Sequence, residues 1–258
     1  MNRSTRSYHL VAMLLGAALL GACAPSPDAD TPPGQSAVTD EEAASLPPTI
    51  TATNAFYYYA DVEAAWHFYT EVVGLRTVAD YGFAKIMQVA SRSYLTLVDA
   101  ERGMHSADEP KTATLALVTD QVEGWYEYLS AAGVPMRAEL DAEPDPTAPH
   151  VGFVAIDPEG YYLEFERFQA HPENARLLPA LDAVEPLFPA PDLATERPAN
   201  LGIRATILWL YYRDTAAINA FYEGLFGTAP IVDQGWRAYF STSCRQGPVA
   251  RRRVRLPK

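Results

Sequence analysis

One predicted strand carries two acidic side chains that could take part in chemistry. The segment 161–168 reads YYLEFERF, and its alternation places Tyr162, Glu164 and Glu166 on one face, with apolar residues on the other. If the first face lines a groove, desolvation makes the Glu164 carboxylate hold a proton more tightly, which suits a general base. If it meets water, Glu164 is an ordinary solvated acid. His150, just before the run VGFVAI, either points into the same groove or lies at a loop edge.

A second strand, TNAFYYY at 53–59, offers aromatic side chains. Alternation puts Asn54, Phe56 and Tyr58 on one face. Such a face could bind a planar or apolar small molecule, or it could simply fill a core. The sequence contains no glycine-rich phosphate loop and no CxxC motif. The two strands are therefore the places where the sequence indicates a site.

Composition limits the classes of partner. The chain is 48% hydrophobic and 20% charged, which is typical of a globular protein. Its formal net charge of −12 argues against nucleic acid as a partner, because phosphates repel an acidic surface. The two cysteines, Cys23 and Cys244, are too few for a disulfide framework. The same negative charge argues against a broad contact with an anionic membrane surface.

The elements that would position these side chains follow a repeated pattern. Each copy has an apolar strand-like run, an Asp suited to cap a helix, a helical stretch and a Gly suited to end it. In each of the first two copies, three more strand-like runs follow the Gly. The sequence therefore predicts an α+β fold with two βαβββ units between residues 51 and 168 and a third, incomplete unit. The Asp and Gly positions are Asp61 and Gly74, Asp120 and Gly133, and Asp214 and Gly227.

Paired βαβββ units resemble the vicinal oxygen chelate superfamily, which contains glyoxalases, bleomycin-resistance proteins and extradiol dioxygenases. Two further motifs agree. The run DPEG followed by YYLEF, at 157–165, resembles the closing hairpin of that superfamily, and Phe68-Tyr69 followed by Gly74-Leu75 resembles its helix end. The resemblance covers residues 51–168 and part of 203–240. It implies an open, U-shaped sheet whose trough binds the ligand.

The resemblance also implies a divalent metal held by the first and last strands of the units. The first-strand positions, seven residues before the capping Asp, are Asn54 and Ala113, and the last-strand positions are Thr96 and Glu164. Among these only Glu164 is a strong ligand, because the others offer neutral oxygens or no donor. The implied metal set is incomplete, so the cofactor stays open. The resemblance places Glu164 in the trough beside Asn54, as ligand or base.

The N-terminus resembles a bacterial lipoprotein signal. Arg3 and Arg6 precede an apolar run from 10 to 20, and LGAC then resembles a lipobox ending at Cys23. An ordinary secretory signal is the alternative. Residues 24–50 are rich in Pro, Ala and acidic residues, as in a disordered tether. Residues 1–23 are thus interpreted as a signal peptide, and the protein as lipid-anchored, facing the periplasm. Ala24 favours the outer membrane, by resemblance to lipoprotein sorting.

The C-terminal third departs from the repeat. Residues 169–200 are a Pro-rich, acidic linker with one short helix, and 201–240 form a partial second domain. Without its remaining strands, this third unit should pack poorly or borrow strands, since its edges would be unpaired. Residues 241–258 are unexpectedly basic. They indicate either a truncated or frame-shifted end or a tail that contacts anionic lipid, and Cys244 within them has no assigned redox role.

Three functions remain open. The first is an envelope enzyme of glyoxalase or dioxygenase type that acts on a small oxygenated molecule. The second is a bleomycin-resistance-like module that binds a small oxygenated or aromatic ligand without metal. The third is a degenerate relative with no activity beyond its anchor. The incomplete ligand set favours the last two, and a homodimer is compatible with all three.

Overall fold

The computed structural model describes residues 50–227, 229–233 and 238–240. Within them the predicted α+β class is confirmed, with βαβββ units built on two mixed sheets. Unit 1 forms a four-stranded sheet in the order β1-β4-β3-β2, in which β1 and β4 are parallel. Its elements are β1 (Thr53–Tyr59), α1 (Val62–His67, extended by a π turn at Phe68–Val72), β2 (Arg76–Asp80), β3 (Ala84–Ala90) and β4 (Ser93–Asp99).

Unit 2 repeats this order, and a strand of unit 3 extends its sheet to give β6-β7-β8-β5-β9. Its elements are β5 (Ala113–Val118), α2 (Val122–Ala131), β6 (Met136–Ala138), β7 (His150–Ile156) and β8 (Tyr162–Phe168). The predicted linker contains a 3-10 turn (Pro172–Asn174) and the expected short helix, α3 (Leu177–Asp182). Unit 3 consists of β9 (Ala205–Leu210), α4 (Thr215–Phe226), β10 (Val232–Asp233) and β11 (Ala238–Tyr239).

The predicted caps hold at two of the three helix starts. Asp61 accepts a hydrogen bond from the Ala64 N–H, and Asp214 accepts one from the Ala217 N–H, both at 2.9 Å. The prediction for Asp120 is wrong. Helix α2 begins one residue later, with Gln121 as its N-cap, because the Asp120 carboxylate instead pairs with the Arg204 guanidinium.

The main core lies on the helix-facing side of both sheets. There α1 and α2 bury the odd-numbered residues of the strands, including Tyr57, Phe153 and Phe165. The two units are joined by Tyr57 and Tyr161, whose rings stack with centroids 3.8 Å apart. This packing turns the even-numbered residues of β1 and β8 away from the main core, and Phe168 on that face of β8 joins a second buried cluster.

A buried carboxylate also joins the units. Asp157, only 4% exposed, accepts hydrogen bonds from the hydroxyls of Tyr59 (2.6 Å) and Tyr69 (3.1 Å) through Oδ2. Its Oδ1 accepts from the N–H groups of Glu159 and Tyr161. Burial is the largest effect on the carboxyl and raises its pKa, although the hydrogen bonds oppose that shift. The closing hairpin of unit 2 is thereby fixed to the first strand and helix of unit 1.

The third unit borrows a neighbour from unit 2. Strand β9 pairs antiparallel with β5 over six residues, which extends the second sheet. Helix α4 buries none of its own side chains, and Phe221 and Leu225 on it are half exposed or more. Both outcomes expected for an incomplete unit are therefore present.

Candidate functional site

Three side chains that could bind a cation converge on the even-numbered face of β7 and β8. One ligand atom from each of His150, Glu164 and Glu166 lies within 4.8 Å of those from the other two. The strands are antiparallel neighbours, in which Glu164 faces Val154 and Glu166 faces Gly152. Alternation along each strand therefore brings the two carboxylates and the imidazole to one surface.

The cluster is shielded from water to different degrees. His150 and Glu164 are half-buried, whereas Glu166 is only 1% exposed. Space beside Glu166 depends on Gly152, because a Cβ there would lie 2.5 Å from the Phe165 carbonyl oxygen and 3.1 Å from the Glu166 Cβ. A residue with a side chain at 152 would therefore have to displace β8.

One imidazole and two carboxylates form a ligand set suited to a divalent first-row cation. Three protein ligands would fill three coordination positions of such a cation. The structure thus brings together two residues that the sequence nominated, Glu164 and His150. It adds Glu166, which sequence reasoning placed on the same face but did not nominate. The signal that could have identified it was the pair of acids two residues apart, beside a glycine in the preceding strand.

The other nominated residues lie in unit 1, on the first sheet. The Asn54 Oδ1 accepts a hydrogen bond from the Thr96 hydroxyl at 3.0 Å. Phe56 is 56% exposed. Tyr58 packs edge-on against His105, and its carbonyl oxygen accepts from the Lys111 ammonium at 3.1 Å. Tyr58 therefore contacts the loop between β4 and β5. Within the described residues no strand of the first sheet pairs with a strand of the second.

Strand register identifies the positions that correspond between units. Thr96 faces Phe56 on β1, and Glu164 faces Ala116 on β5, so Thr96 and Glu164 are equivalent. Helix α2 starts one residue later in its unit than α1 does, so the residue seven positions before its N-cap is Thr114. Thr114 is therefore the counterpart of Asn54, whereas Ala113 packs against the core. The hydroxyl of Thr114 is already hydrogen-bonded to that of Tyr211 at 3.1 Å.

The metal set implied by the superfamily resemblance therefore does not fit between units 1 and 2. Its positions provide one carboxylate, Glu164, and three neutral groups, two of which bond to each other. Neutral oxygens of this kind are weak ligands for a transition metal. The described residues that do fit a divalent cation all belong to unit 2.

The comparisons with known proteins agree with the fold. Residues 51–165 match the sequence model of the Glyoxalase/Bleomycin resistance protein/Dioxygenase superfamily. No curated protein shows significant sequence similarity to the chain.

Several solved structures resemble part of the chain. Lactoylglutathione lyase from Agrobacterium tumefaciens is 20% identical, with a TM-score of 0.39 over 47% of this chain and 96% of its own. A glyoxalase/bleomycin resistance protein/dioxygenase from Nocardioides is 18% identical, with a TM-score of 0.41 over 50% and 91%. TioX from Micromonospora sp. ML1 is 14% identical, with a TM-score of 0.38 over 45% and 98%.

The interpretation of the N-terminus concerns residues outside this description. Cys23 and the tether lie before residue 50, and Cys244 lies after residue 240. Among the helices that the structure describes, none combines the length and the apolar character that crossing a bilayer requires.

Proposed function

We propose that unit 2 binds a small oxygenated molecule through a divalent cation held by His150, Glu164 and Glu166. The observation that carries the proposal is the convergence of their ligand atoms to within 4.8 Å on two neighbouring strands. Bound there, a cation would act as a Lewis acid toward oxygens of the ligand. Glu166, the most buried of the three, would be the most firmly placed ligand. Glu164, which is more accessible, would contact both cation and ligand.

Cation binding can be measured directly. Purified full-length protein, stripped with a chelator, would be titrated calorimetrically with Co²⁺ and with Zn²⁺. We expect one cation per chain, and a loss of binding in Glu164→Gln and in Glu166→Gln. Glu127→Gln, an exposed change on α2, is the matched control and should bind as the wild type does. Absence of stoichiometric uptake, or equal uptake by all four proteins, would refute the proposal.

The second candidate function is ligand binding without a metal, as the sequence already suggested. Two observations favour it. Asn54 and Thr96, at positions where the superfamily resemblance implies metal ligands, are hydrogen-bonded to each other, and the ring of Phe56 is exposed. If this function is correct, a small-molecule ligand should raise the melting temperature equally with and without chelator. A shift that disappears with chelator would favour the cation site instead.

We also propose that the protein is a lipoprotein of the cell envelope, anchored through Cys23 with residues 24–50 as its tether. The LGAC sequence after an apolar run supports this. In a diderm host, wild-type protein should fractionate with outer membranes and carry lipid by mass spectrometry. Cys23→Ser should lose the lipid and leave the membrane fraction. Retention of the Cys23→Ser variant in the membrane fraction would contradict an anchor at Cys23.

A further inference from the structure

Unit 3 exposes apolar side chains at positions that unit 1 buries. The residues two, four and six positions before the capping Asp61 belong to the core, and each is less than a tenth exposed. In unit 3 the same positions before Asp214 are occupied by Leu208, Leu210 and Tyr212, which are 42% to 45% exposed. Unit 3 therefore keeps the apolar pattern of the repeat while leaving these side chains accessible.

Helix α4 adds further exposed residues beside them. Phe221 and Leu225 lie about one turn apart, so they project from the same side of the helix, and both are at least half exposed. The hydroxyl of Tyr222 on α4 lies 2.9 Å from that of Tyr212, which connects the helix to the end of β9. We call the exposed apolar residues of this region the apolar face of unit 3, namely Leu208, Leu210, Tyr211, Tyr212, Phe221 and Leu225.

A run of positive charge follows directly after this unit in the sequence. Residues 241–258 contain six basic residues and no acidic one, although the whole chain has a net charge of −12. The residue before this run is Phe240, whose ring centroid lies 5.6 Å from that of Tyr222 and 6.0 Å from that of Phe226. Both partners are on α4, so the basic segment begins at the helix that contributes to the apolar face.

The combination of apolar and basic residues suits an anionic lipid surface. Large exposed apolar areas mark sites of contact with proteins or membranes, and a cluster of basic residues beside one attracts the phosphates of anionic lipids. Leu and Phe side chains gain by entering the acyl region, and Tyr rings suit the boundary with the headgroups. A second copy of the chain would match the apolar face, but it would bring two basic segments together. The charge therefore favours lipid as the partner.

We infer that unit 3 docks on an anionic phospholipid surface through its apolar face and the basic segment 241–258. The contact is local, because the acidic remainder of the chain is repelled by the same surface. It requires neither the cation site on β7 and β8 nor an anchor at Cys23. In an anchored protein, docking would supply a second attachment to the membrane, which strengthens binding because the anchor keeps the apolar face close to the lipid.

Vesicle binding by non-acylated protein tests this contact separately from the anchor. Full-length Cys23→Ser protein would be sedimented with vesicles of phosphatidylcholine alone, or of phosphatidylcholine and phosphatidylglycerol in equal parts. We expect tighter binding to the anionic vesicles, with an affinity that falls as salt is added. All further variants share this background, so residues 1–23 contribute equally and differences report on unit 3.

Two sets of substitutions separate the apolar and basic contributions. Phe221→Ser combined with Leu225→Ser should weaken binding to anionic vesicles by about tenfold or more, because two apolar side chains no longer enter the lipid. Arg251→Ser, Arg252→Ser and Arg253→Ser together should weaken it by about a hundredfold. Tyr81→Ser, which removes an equally exposed ring from unit 1, is the matched control and should bind like the parent protein.

Three results would overturn the lipid contact. The first is equal binding to both kinds of vesicle, and the second is unchanged binding in the apolar and basic variants. The third is a dimer in sedimentation equilibrium that the Phe221 and Leu225 substitutions abolish, in a protein that binds no vesicles, since this would assign the apolar face to a second copy. Calorimetry with Co²⁺ and fractionation of the acylated protein test the other proposals, which these results leave intact.

Discussion

Replacing Arg197 with methionine should destabilise the fold strongly, although this residue lies in the predicted linker. The side chain is 5% exposed. Its guanidinium donates to the carbonyl of Leu201 at 2.9 Å and 2.5 Å and to that of Leu187 at 2.9 Å. It also lies over the indole of Trp125, 4.8 Å from the ring centroid. Burial lowers the pKa of Arg197 to about 10, which means that desolvation of the charged guanidinium opposes folding.

The magnitude follows from these opposing effects. Hydrogen bonds to a charged group contribute about 1.5–3 kcal/mol each. Methionine recovers some packing and removes the desolvation cost, but it leaves the Leu201 carbonyl without its charged donor. We therefore expect a loss of about 2–4 kcal/mol in the free energy of unfolding. For a domain of this size, that lowers the melting temperature by roughly 4–16 °C.

Urea denaturation and calorimetry at neutral pH would measure the loss. Arg76→Met is the matched control, because the Arg76 guanidinium also binds the linker, through Asp192 at 2.9 Å. Both side chains of that pair are at least half exposed, so its loss should cost only about 0–1 kcal/mol. Equal destabilisation by the two substitutions, or a more stable Arg197→Met protein, would show that the buried hydrogen bonds are not what fixes the linker.

Two further predictions concern a glycine pair and a buried acid. Gly152→Ala should lower the melting temperature and weaken Co²⁺ binding, because the new Cβ meets β8. In the control, Gly224→Ala in α4, the new Cβ meets nothing, and the free energy of unfolding should rise by about 0.5–1 kcal/mol. Intact Co²⁺ binding by Gly152→Ala would contradict this prediction. The pKa of Asp157 is higher in the folded protein than in the unfolded chain. Asp157 therefore contributes to the free energy of unfolding below its unfolded pKa, about 4, and this contribution is lost as the pH rises through its folded pKa. The free energy of unfolding of wild type minus that of Asp157→Asn should therefore fall as the pH rises above about 4. A difference that rises with pH would refute the shift.

The sequence predicted the strands and helices of units 1 and 2 well, because their signals are local. Apolar alternation marked β1 and β8, and the glycines after the helices have the left-handed φ that ends a helix, as at Gly74 and Gly227. The prediction at Asp120 was wrong because a tertiary contact, the ion pair with Arg204, took the side chain that local reasoning assigned to the cap.

The site was less predictable because it depends on contacts between strands that are distant along the chain. Alternation alone left open whether Glu164 met water or a groove, and it could not show that His150 reaches the same surface. The sequence indicated that unit 3 could borrow a strand, but local patterns could not show that β9 would pair with β5 and bring Trp209 to the same side of the sheet as the acids. Only the strand register resolves these points.

Register also explains why one unit of the repeat carries the proposed chemistry. At the position of Glu164 unit 1 has Thr96, and at the position of Glu166 it has Val98, since each pair occupies matching places opposite β1 and β5. Thr96 is already engaged with Asn54. Replacement of ligand residues in one unit need not change the stability of the fold, because these residues lie on the face away from the core that the two units share. On that face of the second unit, aromatic rings of β9 and β11 pack into a buried cluster beside the acids.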